Sequence, residues 1–182
     1  VKMGQLIDGL LKLSQFGRSD IQPQAVSLSA LSTRLLEEFA ATDPERRVNW
    51  TVEAGLQVQA DPALMEALMQ NLLHNAWKYS AAVHEAEIRV FVDLSGAEPR
   101  YCVRDNGAGF DMARAGKLFQ PFQRMHKPQE FAGLGIGLAT ARRIVLRHGG
   151  NLQPQSSPGQ GATFCFTVPF GAASAPPPGP RT

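Results

Sequence analysis

Asn71, Asn75 and Lys78, in the run NLLHNAWKYS, stand four and three residues apart inside a segment otherwise rich in leucine and methionine. At about 100° per residue a helix here gathers Met65, Leu68, Met69, Leu72, Leu73 and Ala76 into one apolar sector, with the two amides and the ammonium within about 60° of one another at its edge. Amide oxygens are hard, neutral ligands that suit magnesium, an ion that keeps several waters and binds through few protein groups plus substrate phosphates. A lysine beside such an ion is a point charge for phosphate. Solvated asparagines on a helix surface would give the same spacing, so the weight falls on what lies downstream.

Two glycine-rich stretches follow. DNGAGFD, residues 105–111, succeeds a strand-like run, and its Gly107 and Gly109 let the backbone turn and approach a ligand without a Cβ in the way. Asp105, at the end of that strand, can accept a hydrogen bond from an exocyclic amine; an ordinary Asp-Asn-Gly surface turn is the plain alternative. FAGLGIGL, residues 131–138, places Gly133, Gly135 and Gly137 at a helix start, where free N–H groups and the helix dipole favour phosphate. This run does not follow a strand within a βαβ unit, so the dinucleotide-binding fingerprint is not met.

The elements that must hold these residues are legible from periodicity. Met3, Leu6, Leu10 and Leu13 form the stripe of a bundle helix at the start, ended by IQPQAV. Such a stripe suits either an amphipathic helix packed on its own domain or the tail of a longer dimerising hairpin. Ser27 opens a helix through Leu28, Leu31, Leu35 and Phe39, which Asp43-Pro44 closes. RRVNWTVE and LQVQA alternate as strands, and Asp61-Pro62 caps and starts the asparagine helix, which runs to about Tyr79. AEIRVFVDL and RYCVRD are strands around the turn SGAEP, and a long loop over 106–135 leads to the helix IGLATARRIVLRH, stopped by Gly149-Gly150. Strands near 151–155 and 162–169 flank SSPGQG, and GAASAPPPGPRT is a low-complexity tail expected to be disordered. Hairpin-like connections at two places favour a mixed sheet with helices on one face over a doubly wound parallel sheet.

Composition narrows the function classes. With 182 residues, 43% of them hydrophobic, the chain can bury a sizeable core, and 18 basic against 16 acidic residues leave a formal charge of only +2. No basic run is interleaved with aromatics, so nucleic acid is not an expected partner. Neither a signal peptide nor an uninterrupted apolar run of membrane-spanning length is present, and the expectation is a cytoplasmic fragment without membrane contact, from a parent either soluble or membrane-anchored. Cys102 and Cys165 fall in strand-like runs and are expected to be core thiols rather than a disulfide.

In this order NLLHNAWKYS, DNGAGFD, KLFQPFQR and GLGIGLA resemble the N, G1, F and G2 boxes of the ATP-binding catalytic domain of sensor histidine kinases. NAWKYS, RDNGAGFD, FQPFQRMH, EFAGLGIGLAT and RHGG look most like the kinases that follow PAS or phytochrome sensor modules. The resemblance implies an α/β (α+β) two-layer sandwich, a mixed sheet with three helices on one face, as in gyrase, Hsp90 and MutL ATPases, preceded by a bundle helix. It divides the chain into the end of a truncated dimerisation and phosphoacceptor hairpin (1–19), a linker (20–26), the ATP-binding domain (27–170) and the tail (171–182).

Carried over, the resemblance implies ATP and Mg2+ as cofactors. Asp105 would bind the adenine amine, with Gly107 and Gly109 shaping the base pocket and Tyr79 packing near the base. Asn75, with Asn71, would hold magnesium, and Lys78 would approach a phosphate. Phe119 and Phe122 would anchor a lid, Arg124 would reach the terminal phosphate, and Gly133, Leu134, Gly135, Gly137 and Leu138 would form the phosphate-binding end. Leu134 stands where the family often has threonine.

In water-splitting relatives the position four before the metal-binding asparagine is a glutamate that activates water; here it is Asn71, whose amide takes no proton at neutral pH. The expected activity is therefore transfer of the ATP γ-phosphate to a histidine, by positioning and charge neutralisation through magnesium, Lys78 and Arg124. None of His74, His84, His126 and His148 sits in the acidic-flanked setting of the family's phosphoacceptor. That acceptor would lie on the hairpin of the full-length homodimer, with a response-regulator receiver domain as the next partner. The rival expectations are a degenerate nucleotide-binding or regulatory module, for which Leu134 is the motif-level hint, and a gyrase-type ATPase, which Asn71 disfavours.

Overall fold

The computed structural model describes residues 20–123 and 135–169. The opening helix stripe, the segment containing Arg124, His126, Gly133 and Leu134, and the C-terminal tail lie outside the described residues.

Each long helix of the amide-bearing half begins where a side chain satisfies its first amides. Helix α1 (Leu28–Thr42) is capped by Ser27, whose hydroxyl accepts from Ala30 N at 3.2 Å. Helix α2 (Pro62–Tyr79) is capped by Asp61, which accepts from Ala63 N and Leu64 N at 3.1 Å each. Pro62 sits in its first turn, where no N–H is missed. Leu64, Met65, Leu68, Met69, Leu72, Leu73 and Ala76 of α2 are buried, which is the sector the periodicity predicts.

Five strands form a mixed sheet in the order β2-β4-β5-β7-β6: β2 (Asn49–Val52), β4 (Glu87–Asp93), β5 (Arg100–Asp105), β6 (Leu152–Ser156) and β7 (Ala162–Phe166). Strand β2 runs parallel to β4, and the other pairs are antiparallel. Paired residues share a face, so the register gives the row Trp50, Ile88, Asp105, Ala162, Ser156 and beside it Val52, Val90, Val103, Phe164, Pro154. The apolar members of these rows pack with α1, α2 and the helix α4 (Gly137–Arg147) in one core. The architecture is the mixed sheet with three long helices on one face that the resemblance implies.

Three differences from the sequence reading have physical causes. IQPQAV, read as a helix break and linker, contains strand β1 (Gln24–Ser27), which pairs antiparallel with β3 (Gln57–Ala60) in a separate two-stranded sheet. Four residues beside a proline are too short to show alternation; distant pairing creates this strand. The loop after β5 contains a 3₁₀ turn (Met112–Arg114), capped by Asp111, and the one-turn helix α3 (Ala115–Leu118), whose Leu118 reaches the core.

The third difference corrects the cysteine expectation: Cys102 and Cys165 form a disulfide. They are direct partners in the β5–β7 register, on the face turned away from Val103 and Phe164. The sequence separation of 63 residues hides that neighbourhood. Directly opposed residues of antiparallel strands bring their Cβ atoms within bridging reach.

Candidate functional site

A cleft between α2 and the sheet is lined by Asn75, Tyr79, Asp105, Gly109, Phe110, Leu118, Leu138, Ala162 and Phe164. Asp105 is in phase with Val103, so its carboxyl points to the helix side and is 5% exposed. Burial pushes this carboxyl up to about 6, against the pull of backbone hydrogen bonds from Gly107 and Ala162. A desolvated carboxyl on an apolar floor is poised to take an amine donor, since a hydrogen bond to the charged form offsets the solvation it has lost.

The loop beyond Asp105 is held by backbone. Gly107 N donates to Asp105 Oδ1 at 2.8 Å and Ala108 N donates to Tyr79 O at 3.0 Å. A Cβ on Gly107 would overlap the Tyr79 carbonyl, and one on Gly109, whose φ is +62°, would overlap the Ser157 carbonyl. Ser156 Oγ accepts from Phe110 N at 2.9 Å and donates to Gly161 O at 2.7 Å, tying this loop to the β6–β7 turn. Asn106 closes the other side, accepting from Glu87 N and donating to Glu85 O at 2.8 Å each.

Along α2, Asn75 is half-buried and lines the cleft. One helical turn earlier, Asn71 donates from Nδ2 to Ala67 O at 2.8 Å, which leaves its Oδ1 2.8 Å from the point where a Cβ on Gly137 would stand. Lys78 Nζ donates to the Tyr79 hydroxyl at 3.2 Å and lies 4.5 Å from the centre of the Tyr79 ring. Asn75 and Tyr79 of α2 thus line the cleft together with Leu138 at the start of α4, and Asn71 meets α4 at Gly137.

The donor set suits magnesium of a particular kind. Among the described residues no group of three His, Cys, Asp or Glu side chains could cage a metal ion. The half-buried Asn75 amide offers one hard, neutral oxygen, which fits an ion held mainly by phosphates and water. Asn71 presents its oxygen toward α4.

Phe119 is half-buried against the core with the Arg142 guanidinium 5.2 Å from its ring centre. Phe122 is 47% exposed with a φ of +65°, and its N–H donates to Gly135 O at 3.0 Å. Gly135 has a φ of +72°, and a Cβ there would crowd Gln123 O. The two ends of the intervening segment are therefore stapled together at Phe122 and Gly135.

His74 is exposed, with its ring edge-on to Phe39 at 5.9 Å; desolvation and then the nearby Lys78 charge lower its pKa. His148 ends α4, as the sequence reading has it, and is fully buried. The sequence reading names neither Phe110, Leu118, Ala162 nor Phe164 as lining residues. For Phe164 and Ala162 the available signal is strand alternation in ATFCF, which sets them opposite the cysteine face. No helix among the described residues is long and apolar enough to cross a membrane.

Comparison with known proteins agrees with this geometry. The family described as histidine kinase-, DNA gyrase B- and HSP90-like ATPase matches residues 60–172. Cyanobacterial phytochrome B of Nostoc sp. is 32% identical over 169 residues, spanning 92% of this chain and 22% of that protein. The alginate biosynthesis sensor protein KinB of Pseudomonas aeruginosa is 30% identical over 90% of this chain and 28% of its own length. The chain thus spans about a quarter of the length of these relatives. Among solved structures, full-length ShkA in complex with AMPPNP superposes with a TM-score of 0.75 at 24% identity, covering 95% of this chain and 37% of that one. The catalytic domain of the histidine kinase ThkA, nucleotide-free, gives 0.64 at 21% identity over 82% of this chain and 96% of its own. A match over residues 60–172 takes in the cleft, its glycine loops and the amide-bearing helix, and the chain belongs to the family of histidine kinase-, DNA gyrase B- and HSP90-like ATPases.

Proposed function

We propose that this chain is the ATP-binding catalytic part of a cytoplasmic two-component sensor histidine kinase. It hands the γ-phosphate to a histidine supplied by a longer chain, for relay to an aspartate of a response-regulator receiver domain. The observation that carries the reading is the buried Asp105 carboxyl on the floor of a cleft whose flank presents the Asn75 amide. Residues 27–170 form the catalytic domain in this reading, 20–26 a linker whose strand β1 is paired to that domain through β3, and 1–19 the end of the hairpin that pairs the full-length homodimer.

Asp105 accepts the hydrogen bond of the adenine amine, and Tyr79, Phe110 and Phe164 enclose the base. Asn75 holds the magnesium that travels with the nucleotide, with Asn71 beside it. When bound, that ion neutralises phosphate charge as the γ-phosphoryl group departs. Lys78 approaches the phosphates, Phe119 and Phe122 seat a lid, and Arg124 reaches the terminal phosphate. Gly133, Leu134, Gly135, Gly137 and Leu138 line the phosphate end. Asn71 takes no proton from water, so the site holds ATP for an incoming nucleophile and does not hydrolyse it.

Calorimetric titration of ATP, with and without magnesium, on this chain and on Asp105→Asn tests the reading, with phosphate release followed in parallel. Magnesium-dependent binding that the substitution abolishes, with negligible release, supports it. Absence of binding marks a degenerate module, and sustained release marks an ATPase. Transfer to a separately supplied histidine-bearing hairpin completes the test.

A further inference from the structure

We propose that His148 is a positioning residue for the phosphate end of the cleft: it sets where α4 stands along α2, and so how closely Gly137 approaches Asn71. This rests on the nucleotide-binding reading above.

Helices α2 and α4 pack along their length in the core, and two contacts mark the ends of that seam. At one, Asn71 Oδ1 occupies the space that a Cβ on Gly137 would need. At the other, Asp61 N donates to His148 Nε2 at 3.1 Å. Asn71 lies ten residues after Asp61, and His148 eleven after Gly137, so the helices run antiparallel with the two contacts about 15 Å apart. A helix held by a hydrogen bond at one end of such a span and in close contact at the other resists sliding by the fraction of a turn that would withdraw its N-terminal amides from a phosphate.

The fastening depends on one form of the ring. Nδ1 lies 2.8 Å from Ile144 O, a carbonyl that only accepts, so Nδ1 carries the hydrogen. Nε2 is then the unprotonated acceptor that the Asp61 amide needs. His148 is itself fully buried, and the chain leaves it through Gly149, with a φ of +74°, and Gly150. A Cβ on Gly150 would overlap the Thr167 carbonyl, so the backbone next to His148 is seated on the end of β7. Asp61 is in turn the N-cap of α2, the helix that carries both amides. The sheet end, His148, Asp61 and α2 therefore make a continuous chain of contacts that refers the phosphate end to the sheet, remote from the base pocket.

The experiment compares His148→Gln and His148→Leu with the parent chain. A glutamine amide reaches the Nε2 position with an oxygen that can accept from Asp61 N; leucine fills space without an acceptor. Two affinities are measured for each, for magnesium-ATP and for adenosine, which engages only the base end, alongside the melting temperature. The expected result is an affinity for magnesium-ATP about tenfold weaker in His148→Leu, with adenosine affinity within about twofold and His148→Gln close to the parent, a loss of the size seen when groups that orient metal ligands are removed. Equal magnesium-ATP affinity in His148→Leu overturns the proposal. A parallel fall in both affinities also overturns it, since that marks a merely structural role. A parent chain that binds adenosine but gains nothing from phosphates and magnesium refutes the nucleotide reading instead, so the two failures are distinguishable.

Discussion

In the proposed nucleotide-binding reading, the base end and the phosphate end of this cleft are built from different materials. At the base end the walls are main chain: the sites of Cβ atoms on Gly107, Gly109 and Gly161 coincide with the carbonyls of Tyr79, Ser157 and Asp105. At the phosphate end Gly135 also meets a carbonyl, that of Gln123, but at the start of α4 the close approach is to a side chain, Asn71 against Gly137. Backbone packed on backbone has no rotamer to yield, whereas an amide side chain has two torsions. The base pocket is thus rigid and intolerant of substitution, while the phosphate end can adjust to its ligand and needs external fastening to stay in register.

The sharpest break of this contrast is Gly107→Ala. Its methyl meets the Tyr79 carbonyl, and we expect a stability loss of about 3 kcal/mol, seen as a lower urea midpoint, together with loss of adenosine binding. Next comes the disulfide, which ties β5 to β7 beneath the base. Closing a loop over a separation of 63 residues stabilises by about 4 kcal/mol, so reductant, or Cys102→Ser with Cys165→Ser, should lower the melting temperature by about 10 °C. An unchanged melting curve under reductant would remove the crosslink from the account of base-end rigidity.

Asp105 sharpens the comparison through pH. Its carboxyl is held up to about 6, so between about pH 4 and 6 the native state keeps a proton that the unfolded chain has released. Stability is therefore lost as pH rises through that window, by about 2 kcal/mol, and Asp105→Asn should flatten the slope and stabilise the chain at pH 7. Adenosine affinity should move the other way, rising from pH 5 to 7 as the carboxylate forms. The same midpoint in both curves would assign both effects to one group. The smallest effect belongs to Gly137→Ala: the Asn71 amide can swing aside, so stability should fall by less than about 1 kcal/mol while magnesium-ATP affinity drops measurably. A cost as large as that of Gly107→Ala would erase the distinction between the two ends.

Residues whose meaning rests on a local repeat are legible in the amino-acid sequence. The asparagine pair and Lys78 follow the helical period, and the Asp61-Pro62 start follows from capping chemistry. Asp105 stands in phase with Val103 on one strand, so an inward carboxyl can be read from alternation alone. Strand β1 has no such signal, since four residues after a proline show no period and acquire strand geometry only by pairing with β3. His148 is legible as a helix end, but its acceptor role depends on an amide 87 residues away.

The sequence by itself determined the three long helices of the described residues and their apolar faces, and it nominated the side chains for phosphate and amine chemistry, because those properties live within one turn or one strand. Only the tertiary structure decided that Cys102 faces Cys165, that Gly107 and Gly109 leave no room for a side chain, and that the end of α4 is hydrogen-bonded to the cap of α2. The physical reason is distance along the chain: register between strands and the stand-off between helices are set by packing, and no local pattern encodes the partner on the other side.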